Sequence, residues 1–183
     1  REHKKWISSQ FKRFSKNGYH FKFEDFYNNA NSGYWKNEDM MYVDKINIIK
    51  KYSKYDPLVL NFDELKINPH SYLTKISEYT NSYYNESNIS LNVVHKSYSE
   101  KQIIFLKGFC RIFKPNPPKY YADNKLKHWL YFRPWWLLFH LVMYFAYFLP
   151  KNMIVKKPLI DNNYLGKTMK KYKSDWDEIL KYT

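Results

Sequence analysis

The sequence is poor in the residues that most catalytic and metal sites are built from. It has one cysteine, Cys110, among 183 residues, so no disulfide can form within the chain and zinc sites of the cysteine type are excluded. A reducing compartment fits that usage. There are only 4 glycines, and none of them forms a glycine-rich phosphate loop or a nucleophile elbow; there is no HExxH pair either. Acidic residues are also scarce, 17 Asp and Glu against 31 Lys and Arg, which leaves a formal net charge of +14. A chain so basic favours a polyanionic partner: nucleic acid, an acidic membrane surface, a phosphate-rich cofactor or a sulfated glycan. No block of five basic residues occurs, and a nucleic-acid arm would show one. Long apolar runs are missing too. The most apolar stretch, residues 129–149, is cut by Arg133 and Pro134, leaving 15 residues from Trp135 to Leu149 with His140 among them. A membrane-spanning helix needs about 20, so this stretch is expected to lie on the core or on a membrane surface.

What is abundant is aromatic: 19 Tyr, 13 Phe and 6 Trp. Lys, Asn and Ile are frequent as well, a bias that an AT-rich coding sequence produces by itself, so the counts alone carry no function. The triplets beginning at Asn85 and Asn88 are glycosylation acceptors only in a secreted chain. The six histidines, at 3, 20, 70, 95, 128 and 140, are scattered and are expected to be structural. The first residue is Arg rather than Met, so the chain is expected to be the remainder of something longer.

With 183 residues a single domain with a real core is expected. Trp6, Ile7, Phe11 and Phe14 recur at helical spacing and end at Asn17-Gly18, a glycine stop. Met41–Tyr52 reads as a second helix with Val43, Ile46, Ile49 and Tyr52 inward. Short apolar pieces at 91–94 and 103–113 follow, separated from the apolar stretch by the stiff break of Pro115, Pro117 and Pro118. Residues 164–182 read as one amphipathic helix with Leu165, Met169, Tyr172, Trp176, Ile179 and Leu180 on one side.

Residues 57–76, PLVLNFDELKINPHSYLTKI, have a different character. Leu58, Val59 and Leu60 have the composition of a buried strand. Asp63 and Glu64 form an acidic turn at its end, and Asn68-Pro69 starts a helix, since proline fits a first helical turn and pushes its predecessor out of the α region. A strand, a turn and a helix in that order predict an α/β domain.

This stretch resembles the corresponding segment of sulfotransferases that use 3′-phosphoadenosine-5′-phosphosulfate (PAPS). Two further segments resemble the bacterial and heparan-type members in the same order: REHKKWISSQF at the start and PLIDNNYLGKTMKKYKSDWDEIL at the end. The resemblance implies an α/β fold, a P-loop-like parallel sheet flanked by helices, of which this chain is the carboxyl-terminal two-thirds. It implies that Arg1 and Ser9 hold the 3′-phosphate of PAPS or of adenosine 3′,5′-bisphosphate, and it offers Lys107-Gly108 as the late basic element near that phosphate. His3 stands where the family often has proline, and Trp6 where arginine is common. The phosphosulfate loop and the catalytic base of the family would precede Arg1, so no catalytic residue is assigned. The implied activity is sulfuryl transfer to a hydroxyl or amine of an anionic acceptor such as a glycan.

Two other readings stand beside it. One is a catalytically inactive, sulfotransferase-like subunit of a large membrane-associated or organellar assembly, touching a membrane surface through residues 135–149. The other is a basic RNA-binding subunit of an organellar ribosome, supported by charge and by no RNA-binding motif.

Overall fold

The computed structural model describes residues 1–90, 97–113 and 124–182. The apolar piece expected at 91–94, His95, and the break at Pro115, Pro117 and Pro118 lie outside them. In chain order the α-helices are α1 (His3–Lys16), α2 (Phe23–Phe26), α3 (Tyr42–Tyr52), α4 (Glu64–Ile67), α5 (Pro69–Tyr79), α6 (Glu100–Phe113), α7 (Lys125–Lys127), α8 (Arg133–Phe148), α9 (Lys151–Ile154), α10 (Asn162–Met169) and α11 (Lys173–Ile179). No strand occurs among the described residues.

That finding overturns the expected α/β fold with its parallel sheet. Leu58, Val59 and Leu60 are only half-buried and belong to no strand. An apolar, β-branched run states a preference for a pleated, half-buried surface, whereas a strand exists only when a neighbour accepts and donates its ladder bonds. No segment among the described residues does so here. The rest of the unit forms as expected: Pro69 opens α5, and the Asn68 side chain accepts a hydrogen bond from Ser71 N–H, which caps it. Asp63 and Glu64 are structural anchors. Lys5 Nζ donates to Asp63 at 2.7 Å, and Glu64 takes Lys75 Nζ at 3.0 Å.

The chain divides into two compact units. The first comprises residues 1–6, 36–96 and 166–183, the second residues 7–35 and 97–165. In the first, α3 packs on α11. Ile46 is buried, while Ile49 and Tyr52, expected inward, are exposed. The expected single helix over 164–182 is broken: α10 ends at Met169, a 3-10 turn covers Lys170–Tyr172, and α11 follows.

The second unit is built on rings. Phe11, Phe14, Phe21, Phe23, Phe26, Tyr34 and Trp35 meet with centroids 5.0–6.4 Å apart, mostly tilted or edge-on, arrangements that the ring quadrupole favours. The aromatic content therefore has a packing role. Beside this cluster, α6 packs on α8 through Leu106, Cys110, Phe139 and Met143. Gln102 Nε2 donates to Met143 O at 3.0 Å, and Lys101 Nζ donates to Tyr147 O and Leu149 O, both at 2.8 Å, which satisfies carbonyls at the end of α8. Arg133 and Pro134 do not interrupt the helical course. A wider π-type turn over His128–Phe132 leads directly into α8, where proline at the first turn removes no needed donor.

Gly18 makes this packing possible. It ends α1 with φ 94°, and a Cβ built there would lie 2.6 Å from the Phe139 ring. Both the backbone sign and the contact demand glycine. Gly18→Ala is expected to destabilise the protein by about 2 kcal/mol or more, read as a lower midpoint in urea unfolding; an unchanged midpoint would mean that α8 does not press on this turn.

Candidate functional site

The residues singled out by the PAPS resemblance are divided between the two units. Arg1 belongs to the first unit. Its guanidinium lies over the Phe62 ring at 4.0 Å from the centroid. Ser9 lies on α1 in the second unit and is half-buried. Lys107 lies on α6 in the second unit, where its Nζ donates to Phe21 O at 2.7 Å and sits over the Phe11 ring at 4.4 Å. Burial, helped by Arg111, lowers its pKa to about 8, against the pull of Glu24 and Asp25. The ammonium is thus engaged by a carbonyl and a ring, which is a packing role. Gly108 has open space where a side chain would stand, so no close backbone approach explains it.

A polar centre that the sequence did not reveal lies in the first unit. Asp175, on α11, is 5% exposed and accepts from the backbone N–H groups of Tyr42 and Val43, both at 3.1 Å. These are the first two residues of α3, so a carboxylate from another helix caps its amino terminus, where unpaired donors and the helix dipole favour negative charge. His3, 2% exposed, places Nε2 3.0 Å from Asp175 Oδ2. Its ring is stacked between Tyr42 and Tyr172, at 4.3 and 5.1 Å, with Trp176 edge-on at 6.2 Å. Burial lowers the His3 pKa, and Asp175 opposes the shift without cancelling it. Burial and the same carboxylate raise the pKa of Tyr42. A half-open hollow of about 220 Å³ borders this centre, with Glu2, Lys4, Lys170, Lys173 and Trp176 around His3. Chain separation explains why sequence reading missed the pair: 171 residues lie between His3 and Asp175, and neither forms a motif with its neighbours. Among the described residues no group of three or more His, Cys, Asp or Glu is placed to hold a metal ion.

The second unit carries the largest anomaly. On α8, Phe139, Met143 and Ala146 are buried, spaced four and three apart on one stripe. The opposite stripe is equally apolar and faces outward: Leu141 is 56%, Tyr144 63% and Phe148 64% exposed, with Leu137, Phe145 and Tyr147 beside them. A helix that is apolar all round is one that something covers on every side. No helix among the described residues is long and apolar enough to cross a membrane. The cations nearest to it in sequence, Lys125, Lys127 and Arg133 on one side and Lys151, Lys156 and Lys157 on the other, are all exposed.

The His3 pair has a measurable consequence. Because the folded-state pKa of His3 lies below the ordinary value of 6.5, its neutral form is the one that the fold favours. That contribution is complete above about pH 6.5 and is lost as the pH falls through the lowered value. Unfolding free energy should drop from pH 7 to pH 5 more steeply in the wild type than in His3→Phe, which keeps the ring stack and cannot titrate. Parallel pH profiles would refute the assignment. Asp175→Ala should cost about 2 kcal/mol at either pH, by uncapping α3. In comparisons with known proteins, no family model, no curated protein and no solved structure matches this chain.

Proposed function

We propose that this protein acts by association, as a non-catalytic subunit of a membrane-associated assembly whose docking surface is the outward face of α8. The observation that supports this reading is the second apolar stripe. Leu137, Leu141, Tyr144, Phe145 and Phe148 stand in water although α6 holds the other side of the helix. Contiguous apolar surface of this kind marks interaction sites, and covering each large side chain would contribute up to about 1.5–3 kcal/mol to association. The two polar features described above support a structural role for their residues: Lys107 is bonded to Phe21 O, and Asp175 caps α3.

The triple variant Leu141→Ser, Tyr144→Ser, Phe148→Ser tests it, since none of the three lies on the buried stripe. The wild-type protein is expected to bind a hydrophobic dye and to sediment as concentration-dependent species. The variant should lose both properties and keep its urea midpoint. A wild-type protein that binds no dye and stays monomeric at all concentrations would end this reading.

A second reading retains the PAPS resemblance, and one observation favours it. Two of the resembling segments meet inside the first unit, where Arg1 covers Phe62 and Lys5 bonds Asp63. On this reading Arg1 contributes to the 3′-phosphate side of a site for adenosine 3′,5′-bisphosphate. The absence of any strand among the described residues places it second. A charge-assisted contact of about 1.5–3 kcal/mol means that Arg1→Ala should weaken binding of that nucleotide about ten- to hundred-fold. Calorimetry showing no binding to the unmutated protein would remove the reading.

A further inference from the structure

We infer that the occupant of the outward face of α8 is an anionic lipid surface, on which the helix lies flat at the boundary between headgroups and acyl chains. The inference rests on the association reading above and specifies its partner. Its first support is charge complementarity. From Asn124 to Ile160 there is no Asp or Glu, whereas Lys125, Lys127, Arg133, Lys151, Lys156 and Lys157 all occur there and all are exposed. They flank the apolar face in sequence on both sides, three before and three after, and no acid in that interval offsets them. Lysines and arginines bordering an apolar helix face are attracted to anionic headgroups within a Debye length of the surface.

The second support is the kind of apolar residue displayed. Trp135 and Trp136 stand in the first turn of α8 and Tyr144 and Tyr147 in its last two, with Leu137, Leu138 and Leu141 between them; all are exposed. Rings with a polar tip at both ends of an aliphatic stretch suit a layer that is apolar on one side and wet on the other. Arg133 lies 5.7 Å from the Trp136 ring centroid, so a cation and an aromatic already share this end of the helix.

The third support is length. The apolar run from Trp135 to Leu149 has 15 residues and extends about 23 Å as helix, short of the roughly 30 Å hydrocarbon layer. Cations border both ends, so the helix is suited to lie in the interface rather than to cross it. Its inner stripe is fixed by α6 through Leu106, Cys110, Phe139 and Met143, so the outer stripe is presented by a folded unit. A polyanion without an apolar phase, such as RNA, would engage the cations and leave Leu137, Leu141 and Phe148 in water.

Co-sedimentation of the whole chain with vesicles tests the inference, using phosphatidylcholine alone and phosphatidylcholine mixed with phosphatidylserine. The mixed vesicles are expected to be bound about ten-fold or more tightly, and added salt should erode the difference. Tryptophan emission should shift to the blue and be quenched by lipids brominated near the headgroup. Replacing Lys125, Lys127, Lys151, Lys156 and Lys157 by Gln should abolish the preference for phosphatidylserine, and the triple serine variant should abolish binding to both vesicles, with urea midpoints confirming that each variant folds. Equal binding to the two vesicle types overturns the anionic assignment. Absence of binding to either, while dye binding and self-association through the same face persist, overturns the lipid assignment and leaves the association reading intact. Loss of those properties as well overturns both. Binding of homopolymer RNA that the serine variant leaves unchanged would likewise count against a lipid occupant.

Discussion

Most of what is distinctive here follows from one constraint: α8 is apolar on every side, and within its unit α6 covers one side. The covered side is secured in several independent ways. Leu106 and Cys110 pack against Phe139 and Met143, Gln102 bonds the Met143 carbonyl, Lys101 bonds two carbonyls at the end of the helix, and Gly18 leaves room for the Phe139 ring. The burial of Cys110 pushes its thiol pKa up to about 11 and gives the residue a packing role against α8. With the inner stripe held this firmly, the helix cannot rotate to hide Leu141, Tyr144 and Phe148. The exposed stripe is a consequence of how well the buried one is packed.

The other unit is organised by a single carboxylate. Asp175 accepts from the first two N–H groups of α3 and sits against the imidazole of His3, so one side chain joins α11, α3 and the start of α1. Removing a carboxylate from water is costly, and here two backbone donors and a helix amino terminus offset that cost. For the His3 ring, Asp175 and a backbone hydrogen bond at Met40 oppose the cost of burial without cancelling it. Its neutral form fits between Tyr42 and Tyr172, and its burial makes this centre sensitive to acid.

The charge distribution bears on the proposed association. A net charge of +14 spread over the whole chain would say little beyond solubility and a general taste for polyanions. What gives it direction is an acid-free interval that coincides with the apolar helix, so that cations and uncovered rings come from the same stretch of chain. The lysine drawn into the fold, Lys107, contributes nothing to that surface. Its ammonium is taken up by a carbonyl and a ring, and its pKa falls accordingly.

Local features were legible in the sequence because local physics produces them. The spacing of Ile7 and Phe11 predicts α1, Gly18 its end, Asn68-Pro69 the start of α5, and the apolar run 135–149 a helix too short to span a membrane. The run Leu58–Leu60 was misread because a strand is a relation between two segments, and an apolar run describes only one. His3 and Asp175 were invisible as a pair for the same reason, as was the engagement of Lys107 by Phe21 and Phe11. By itself the sequence determined the end of α1 and the start of α5, the excess of positive charge and the absence of the usual catalytic motifs. Only the tertiary structure decided which stripe of α8 is buried and which stays in water, because both stripes are apolar and the choice depends on the shape of α6 and on the space left by Gly18.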